Sequence, residues 1–399
     1  MFGFQRRWVA CSFVLLLVVG LAVRAAFWVK NPAGLDIGDF GGYAAPAFEM
    51  SHPFDTGDRE PFWCWVLKAW FGLTGAAQQG AFRSAQTLGF LWFPLILYLG
   101  MRFAEGFFGA GQAALLGVFL AFSYNQIFHQ FLGLREPLEC VLALLLLRTL
   151  TLEKEPGRIH KAGLAAISAA LMLTRSAYLQ VLWLVLPAMF RLRRWRVRHA
   201  LLILCLASLF AIPHFLHNLS LRGNATYFSN LELGKLWGRD FAHRKSYPGN
   251  WKEWELWGER DVEPLTLGAY LFEKHRWWQA PWLFAWGFAK YFLWHRILTA
   301  HLLYNYAPPW VAAVHVPVVL FYLWGLAAAA KDRRQRTVLP AVFGLLLPYY
   351  LVGHIQVNMR YSLCVSPFIL LFLAHGVIQA GKWWGRRDSN SHATEGTSS

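Results

Sequence analysis

The sequence predicts an all-α polytopic membrane protein with about ten transmembrane helices. Of its 399 residues, 56% are hydrophobic and 15% are charged, and the mean hydropathy is +0.34. A soluble domain carries roughly 45–50% apolar and about 25% charged residues. Long apolar runs alternate with short basic clusters, and ten spans of about 20 residues would use half the chain. These observations exclude an ordinary water-soluble enzyme.

The apolar runs define ten spans, read in order along the chain. They are predicted at residues 8–28, 86–104, 109–127, 137–152, 162–174, 177–190, 200–217, 309–330, 338–353 and 361–381. The pair 162–174 and 177–190 lies between two basic clusters, so it crosses twice with a tight turn near Arg175, or else forms a re-entrant hairpin. Either arrangement keeps the same topology downstream.

Basic clusters set the predicted orientation of these spans. The residues are Arg6, Arg7, Lys154, Arg158, Lys161, Arg191, Arg193, Arg194, Arg196, Arg198, Lys331, Arg333, Arg334, Arg336, Lys382, Arg386 and Arg387. The positive-inside rule places them all in the cytoplasm, with both termini. Residues 1–382 then form one transmembrane domain with outer loops at 29–85 and 218–308, and 383–399 form a disordered cytoplasmic tail. Trp-rich helices within 264–300 are expected to lie in the interface.

The net charge of +16 does not indicate a nucleic-acid partner, because the cations lie between apolar segments where they orient the chain. No phosphate-binding loop of the form G-x-x-x-x-G-K-[ST] is present, which argues against an ATP-driven pump. The five cysteines form no C-x-x-C pair, and the histidines lack a metal-ligand spacing. We therefore expect no obligatory cofactor, although Asp36 and Asp39 could hold a divalent cation.

Carboxylates concentrate in the first outer loop. Asp36 and Asp39 come soon after the first span, and Glu60 follows further on. Asp39 and Tyr43 are one turn apart if the chain becomes helical after the glycines. A carboxylate at the membrane surface can act as a general base toward a lipid-anchored substrate. The alternative is a solvated loop whose acids balance nearby basic residues.

An ordered set of motifs resembles a family of enzymes. Asp39-x-x-x-Tyr43 follows the first span, and Arg59-Glu60-Pro-Phe comes next. Glu136 opens the fourth span, and a late element begins with Arg360-Tyr361 and ends with Pro367. The order of these motifs resembles that of the GT-C glycosyltransferases that use lipid-phosphate sugars. These include protein O-mannosyltransferases and lipid A aminoarabinose transferases. The resemblance covers residues 1 to about 382. Relatives often have two adjacent acids where Asp36 and Asp39 are separated by Ile-Gly.

The resemblance implies hexosyl or pentosyl transfer from a polyprenyl-phosphate donor to a lipid, glycan or protein acceptor at the extracytoplasmic face. Asp39, or else Asp36, would be the catalytic base. The residues expected to bind substrate are Tyr43, Arg59, Glu60, Glu136, Arg175, Arg360 and Tyr361. Arg360 and Arg175 rank first for the donor phosphate because each lies at the outer end of a span, and an arginine fork suits phosphate oxygens. Arg135 lies on the same face, whereas Arg24 is expected to snorkel from the first helix.

Three other functions remain open. An O-antigen ligase or polymerase type would use a lipid-diphosphate donor, and a secondary transporter or a non-catalytic assembly protein would perform no transfer. Transporters tend to carry ionisable residues at mid-bilayer in two related halves. Here the ionisable residues gather at one face and the halves differ.

The composition favours a bacterial inner membrane with a periplasmic active site.

Overall fold

The computed structural model is built of α-helices joined by short turns. It describes residues 2–30, 40–56, 59–150, 155–223, 309–345 and 366–395, with short pieces between 234 and 285. Over these residues there is no β-strand. The helices are α1 Phe2–Lys30, α2 Gly41–Glu49, α3 Pro61–Thr74, α4 Ala81–Thr87, α5 Gly89–Phe107, α6 Ala110–Phe122, α7 Tyr124–Gln130, α8 Glu136–Leu150, α9 Arg158–Thr174, α10 Tyr178–Leu192, α11 Val197–Arg222, α12 Pro309–Lys331, α13 Arg333–Arg336, α14 Leu339–Leu345 and α15 Ser366–Glu395.

The described parts of the predicted spans are almost entirely helical, which confirms the expectation of a helical, multi-pass membrane protein. Among the described residues, three helical stretches are long and apolar enough to cross a membrane, namely Arg7–Lys30, Gln78–Phe107 and Val197–Leu221. The expected tight pair is also present, because α9 ends at Thr174 and α10 begins at Tyr178. Of the ninth predicted span, 338–353, only the part up to residue 345 is described.

Helix α8 lies at the centre of the packed core. It contacts α5, α7, α9 and α14, and its side chains from Cys140 to Leu147 are almost all buried. By contrast, α11 exposes large apolar side chains, including Leu209 at 61% and Phe210 at 67%. An apolar face of this kind suits a helix that borders lipid.

Helices α2 and α3, which lie between α1 and α4 in the chain, pack against each other. Helix α3 begins with Pro61, whose ring suits the first turn of a helix because that turn needs no backbone donor there. It ends at Gly75, where φ is +63°, a left-handed conformation that glycine adopts at little cost. Trp63 of α3 donates a hydrogen bond to the carbonyl of Gly133 at 3.2 Å, which fixes α3 beside the start of α8.

Arg24 does not snorkel to the membrane surface, so that expectation was wrong. Its side chain is fully buried and donates to Gln130 Oε1 at 2.7 Å, to Ala121 O at 3.0 Å and to Leu120 O at 3.1 Å. The two carbonyls belong to the last turn of α6, where the helix dipole favours a cation. The guanidinium also lies 3.5 Å from the centre of the Phe93 ring. Acceptors in the core therefore hold Arg24 in place.

The end of the chain differs from the expected disordered tail. Helix α15 continues to Glu395, beyond the predicted boundary at residue 383.

Most of the segment expected to lie in the interface, 264–300, falls outside the described residues, but it includes one π-helical turn at Ala269–Glu273.

Candidate active site

A buried ion pair joins the start of α3 to the start of α8. Arg135 Nη1 donates a short hydrogen bond to Glu60 Oε2, and the two side chains are 8% and 4% exposed. Glu60 lies immediately before Pro61, at the point where the extended backbone enters α3. Arg135 lies immediately before α8. The pair therefore connects two helix starts that are 75 residues apart in the chain.

The turn between α9 and α10 closes around this pair. Arg135 Nη1 also donates to the carbonyl of Thr174 at 2.8 Å, and the backbone N–H of Ser176 donates to Glu60 Oε1 at 3.4 Å. Burial opposes the ionisation of Glu60, but the positive charges of Arg135 and Arg175 outweigh this effect and hold its pKa below the ordinary value. Glu60 is thus a carboxylate at neutral pH, with both oxygens engaged.

Arg175 occupies the same turn and faces two acids of α8. Its Nε lies 3.3 Å from Glu139 Oε1, and its Nη2 lies 3.8 Å from Glu136 Oε1. Glu136 and Glu139 are three residues apart on a helix, so they share one face. Both also lie in the first turn of α8, where the helix dipole favours negative charge. The Arg175 side chain remains 12% exposed at the edge of the cluster.

Arg59 and Tyr43 form the other side of the site. The Arg59 guanidinium carbon lies 4.7 Å from the centre of the Tyr43 ring, a cation–π contact. A Cβ on Gly42 would lie 2.7 Å from both Nε and Nη2 of Arg59, so only glycine lets the guanidinium approach the first turn of α2 this closely. Tyr43 is buried, and burial raises the pKa of its phenol to about 12, so it stays neutral at physiological pH.

Of the predicted site residues, the structure brings five together at one end of the bundle. These are Tyr43, Arg59, Glu60, Glu136 and Arg175. The others, Asp36, Asp39, Arg360 and Tyr361, lie outside the described residues. Asp39 directly precedes Phe40 in the chain, and the Phe40 ring is so close to Gly133 that a Cβ there would lie 2.9 Å from it. In sequence, Gly133 is two residues before Arg135.

Sequence reasoning missed Glu139, which is fully buried and faces Arg175. Its spacing from Glu136 was the available signal, because two acids at i and i+3 in the first turn of an apolar helix need a common cationic partner.

Among the residues that the structure describes, no group of three or more His, Cys, Asp or Glu side chains has the arrangement of a metal site.

No protein-family model matches the chain, and a search of curated proteins gives no match. Two crystal structures of ArnT from Cupriavidus metallidurans align with it. The apo form is 18% identical over 90% of this chain and 78% of ArnT, with a TM-score of 0.40. The form bound to undecaprenyl phosphate is 17% identical over 94% of this chain and 78% of ArnT, with a TM-score of 0.39.

Proposed function

We propose that this chain is a GT-C type membrane glycosyltransferase that moves a sugar from a polyprenyl-phosphate donor to an acceptor at the extracytoplasmic face. One observation carries the proposal. Four separate chain segments, around residues 42–43, 59–60, 135–139 and 174–176, place three arginines and three glutamates together at one end of the helix bundle. Buried charges on this scale are costly in a membrane protein and mark functional sites.

Arg59 and Arg175 are assigned to the donor phosphate, with Arg360 as a third cation. Both described arginines lie at the partly exposed edge of the cluster, and an arginine fork can donate two hydrogen bonds to phosphate oxygens. In the transfer, the bond between the sugar and the phosphate breaks and the phosphate leaves with the bonding electrons. Fixed cations stabilise the charge that develops on it.

Asp39 is assigned as the base that takes the acceptor proton, with Asp36 as the alternative. Chain continuity supports the choice of Asp39, because the next residue, Phe40, packs on Gly133, two residues before Arg135 in the chain. A carboxylate there would be in range of an acceptor hydroxyl or amine that approaches the donor. Glu136, whose Oε1 is 3.8 Å from Arg175 Nη2, would help to position the acceptor.

Glu60 and Arg135 are assigned to the framework of the site. Each is more than nine-tenths buried and is held by the other and by the α9–α10 turn. Their ion pair fixes the distance between the start of α8 and Glu60, which follows Arg59 in the chain. Tyr43 acts with them, since its neutral ring supports the Arg59 guanidinium.

The test is sugar transfer by purified full-length protein in proteoliposomes, with a panel of polyprenyl-phosphate sugars and mass spectrometry of donor and products. Asp39→Asn should abolish transfer, and Arg59→Gln should raise the KM for the donor. Arg102→Gln is the matched control, because Arg102 pairs with Glu105 at an exposed site. Equal turnover by Asp39→Asn would move the base to Asp36. If the folded wild type consumes no donor, but accepts lipid-diphosphate sugars or transports solutes, the proposal is wrong.

A further inference from the structure

The turn between α9 and α10 is fixed on both sides of Arg175. The carbonyl of the residue before it, Thr174, accepts from Arg135 at 2.8 Å, and the N–H of the residue after it, Ser176, donates to Glu60 at 3.4 Å. Glu60 and Arg135 are buried and paired with each other. The backbone at Arg175 is therefore tied to the framework of the site.

The backbone groups of Arg175 itself are also engaged. Its N–H donates to the carbonyl of Leu171 in the last turn of α9 at 2.9 Å, and its carbonyl accepts from the N–H of Tyr178, the first residue of α10, at 3.0 Å. These bonds fix the position of the Arg175 Cα. They do not fix the direction of the side chain, which rotates about several single bonds.

Glu139 supplies the contact that orients this side chain. Its Oε1 lies 3.3 Å from Arg175 Nε, and Arg175 Nη2 donates to its Oε2 at 3.4 Å. Two parallel contacts along one edge define the plane and the direction of a guanidinium as well as its distance. Glu139 is fully buried in the first turn of α8, so the carboxylate is held on a rigid element.

The far end of the Arg175 guanidinium carries a second pair of donors, Nη1 and Nη2. Glu136 is the other acid nearby, but the 3.8 Å between its Oε1 and Arg175 Nη2 exceeds the length of a hydrogen bond. A phosphate that accepts two parallel N–H bonds fits this end of an arginine. The Arg175 side chain is 12% exposed and that of Glu139 is 0% exposed, so a ligand can contact the arginine but not the acid behind it.

We propose that Glu139 is a positioning residue for the donor phosphate. It holds one edge of Arg175, so that the Nη1 and Nη2 donors are directed at the phosphate before the donor binds. The inference rests on the function proposed above and deepens it, because it assigns how the leaving phosphate is recognised.

The reaction explains why this orientation matters. The bond between the sugar carbon and the phosphate oxygen breaks, and the phosphate keeps the electron pair. The acceptor oxygen or nitrogen forms the new bond to the sugar carbon, and its proton passes to the base. Negative charge therefore develops on the phosphate in the transition state, where donors that are already oriented stabilise it without having to reorganise. Glu139 contributes to this step through Arg175.

The test is a double-mutant cycle with the full-length protein in proteoliposomes, using the polyprenyl-phosphate sugar that the wild type turns over. Glu139→Gln keeps the shape of the side chain but removes its charge and one acceptor oxygen. It should lower kcat about 10- to 100-fold, because a misdirected catalytic group loses rate steeply. The KM for the donor should change little, since the Arg175 charge remains close to the phosphate. In an Arg175→Gln background, Glu139→Gln should have no further effect.

The cycle distinguishes positioning from support of the fold, because a merely structural acid would lower turnover by the same factor in both backgrounds. Glu105→Gln is the matched control, since it makes the same chemical change in the partly exposed pair with Arg102 and should leave turnover unchanged. If Glu139→Gln does not fold, Glu139→Asp, which draws the carboxylate back by one methylene, should show the same dependence on Arg175.

The outcomes separate this inference from the proposed function. An active wild type with equal losses in the two backgrounds would overturn the positioning role and leave the proposed function standing. A folded wild type that consumes no polyprenyl-phosphate sugar would overturn both.

Discussion

Replacing Arg135 with Met should be among the most destabilising single changes in this protein. The substitution leaves the Glu60 carboxylate buried with only backbone N–H groups as described donors, those of Ser176 at 3.4 Å and of Glu60 itself, and it also removes the donor to the carbonyl of Thr174. Breaking a buried ion pair by removing one partner costs about 3–5 kcal/mol. We expect a loss of this size in the free energy of unfolding.

The double variant separates the ion pair from the loss of packing. Glu60→Gln removes the charge but keeps an oxygen that can accept from Ser176. The double variant of Glu60→Gln and Arg135→Met should therefore lose at least about 2 kcal/mol less free energy of unfolding than the sum of the losses in the two single variants. The measurement is equilibrium unfolding in mixed micelles, followed by tryptophan fluorescence and circular dichroism.

The matched control is the pair of Arg102 and Glu105, which are three residues apart in α5 and have side chains that are 45% and 18% exposed. Arg102→Met should cost about 1 kcal/mol or less, as exposed pairs do. A cost for Arg135→Met no larger than for the control, or strict additivity in the double variant, would show that the Glu60–Arg135 pair does not hold these segments together.

Three more variants test other parts of the structure by the same unfolding measurement. Arg24→Leu should cost at least about 2 kcal/mol, because two carbonyls at the end of α6 lose their donor inside the core; a neutral effect would contradict that burial. Gly325→Ala should destabilise by about 1–3 kcal/mol because its Cβ would strike a carbonyl of α15. Gly163→Ala, which meets no atom within 4 Å, should be neutral or stabilising; similar effects of the two changes would refute the close contact. The pKa of Glu60 lies below its ordinary value of 4.5, so its contribution to stability is present above that pH and is lost as the pH falls. Wild-type stability should therefore fall more steeply on acidification than that of Glu60→Gln, and parallel curves would exclude this role.

The positions of the helices could be predicted from the sequence because a membrane demands long apolar runs. The predicted span 200–217 became α11, and the predicted turn near Arg175 joins α9 to α10. Both features depend on local composition. The same reasoning indicated that Glu60, Glu136 and Arg175 lie on one face, since each follows or precedes an outer span end.

The pairing of these residues could not be predicted, because it depends on how distant segments pack. Glu60 and Arg135 are 75 residues apart, and nothing in either local pattern specifies the other. Arg24 shows the same limit. Its position near a helix end predicted snorkelling, whereas its acceptors come from α6, almost 100 residues further along the chain.

The burial of Arg24 also constrains the order of events during synthesis. Helix α1 leaves the ribosome before α6, and the Ala121 carbonyl that accepts from Arg24 is 97 residues later. At a synthesis rate of about 5–20 residues per second, α1 must wait about 5–20 s before that acceptor is made. Until then the guanidinium has to remain with water or with lipid headgroups. The first helix therefore cannot reach its final depth in the membrane until α6 has been inserted beside it.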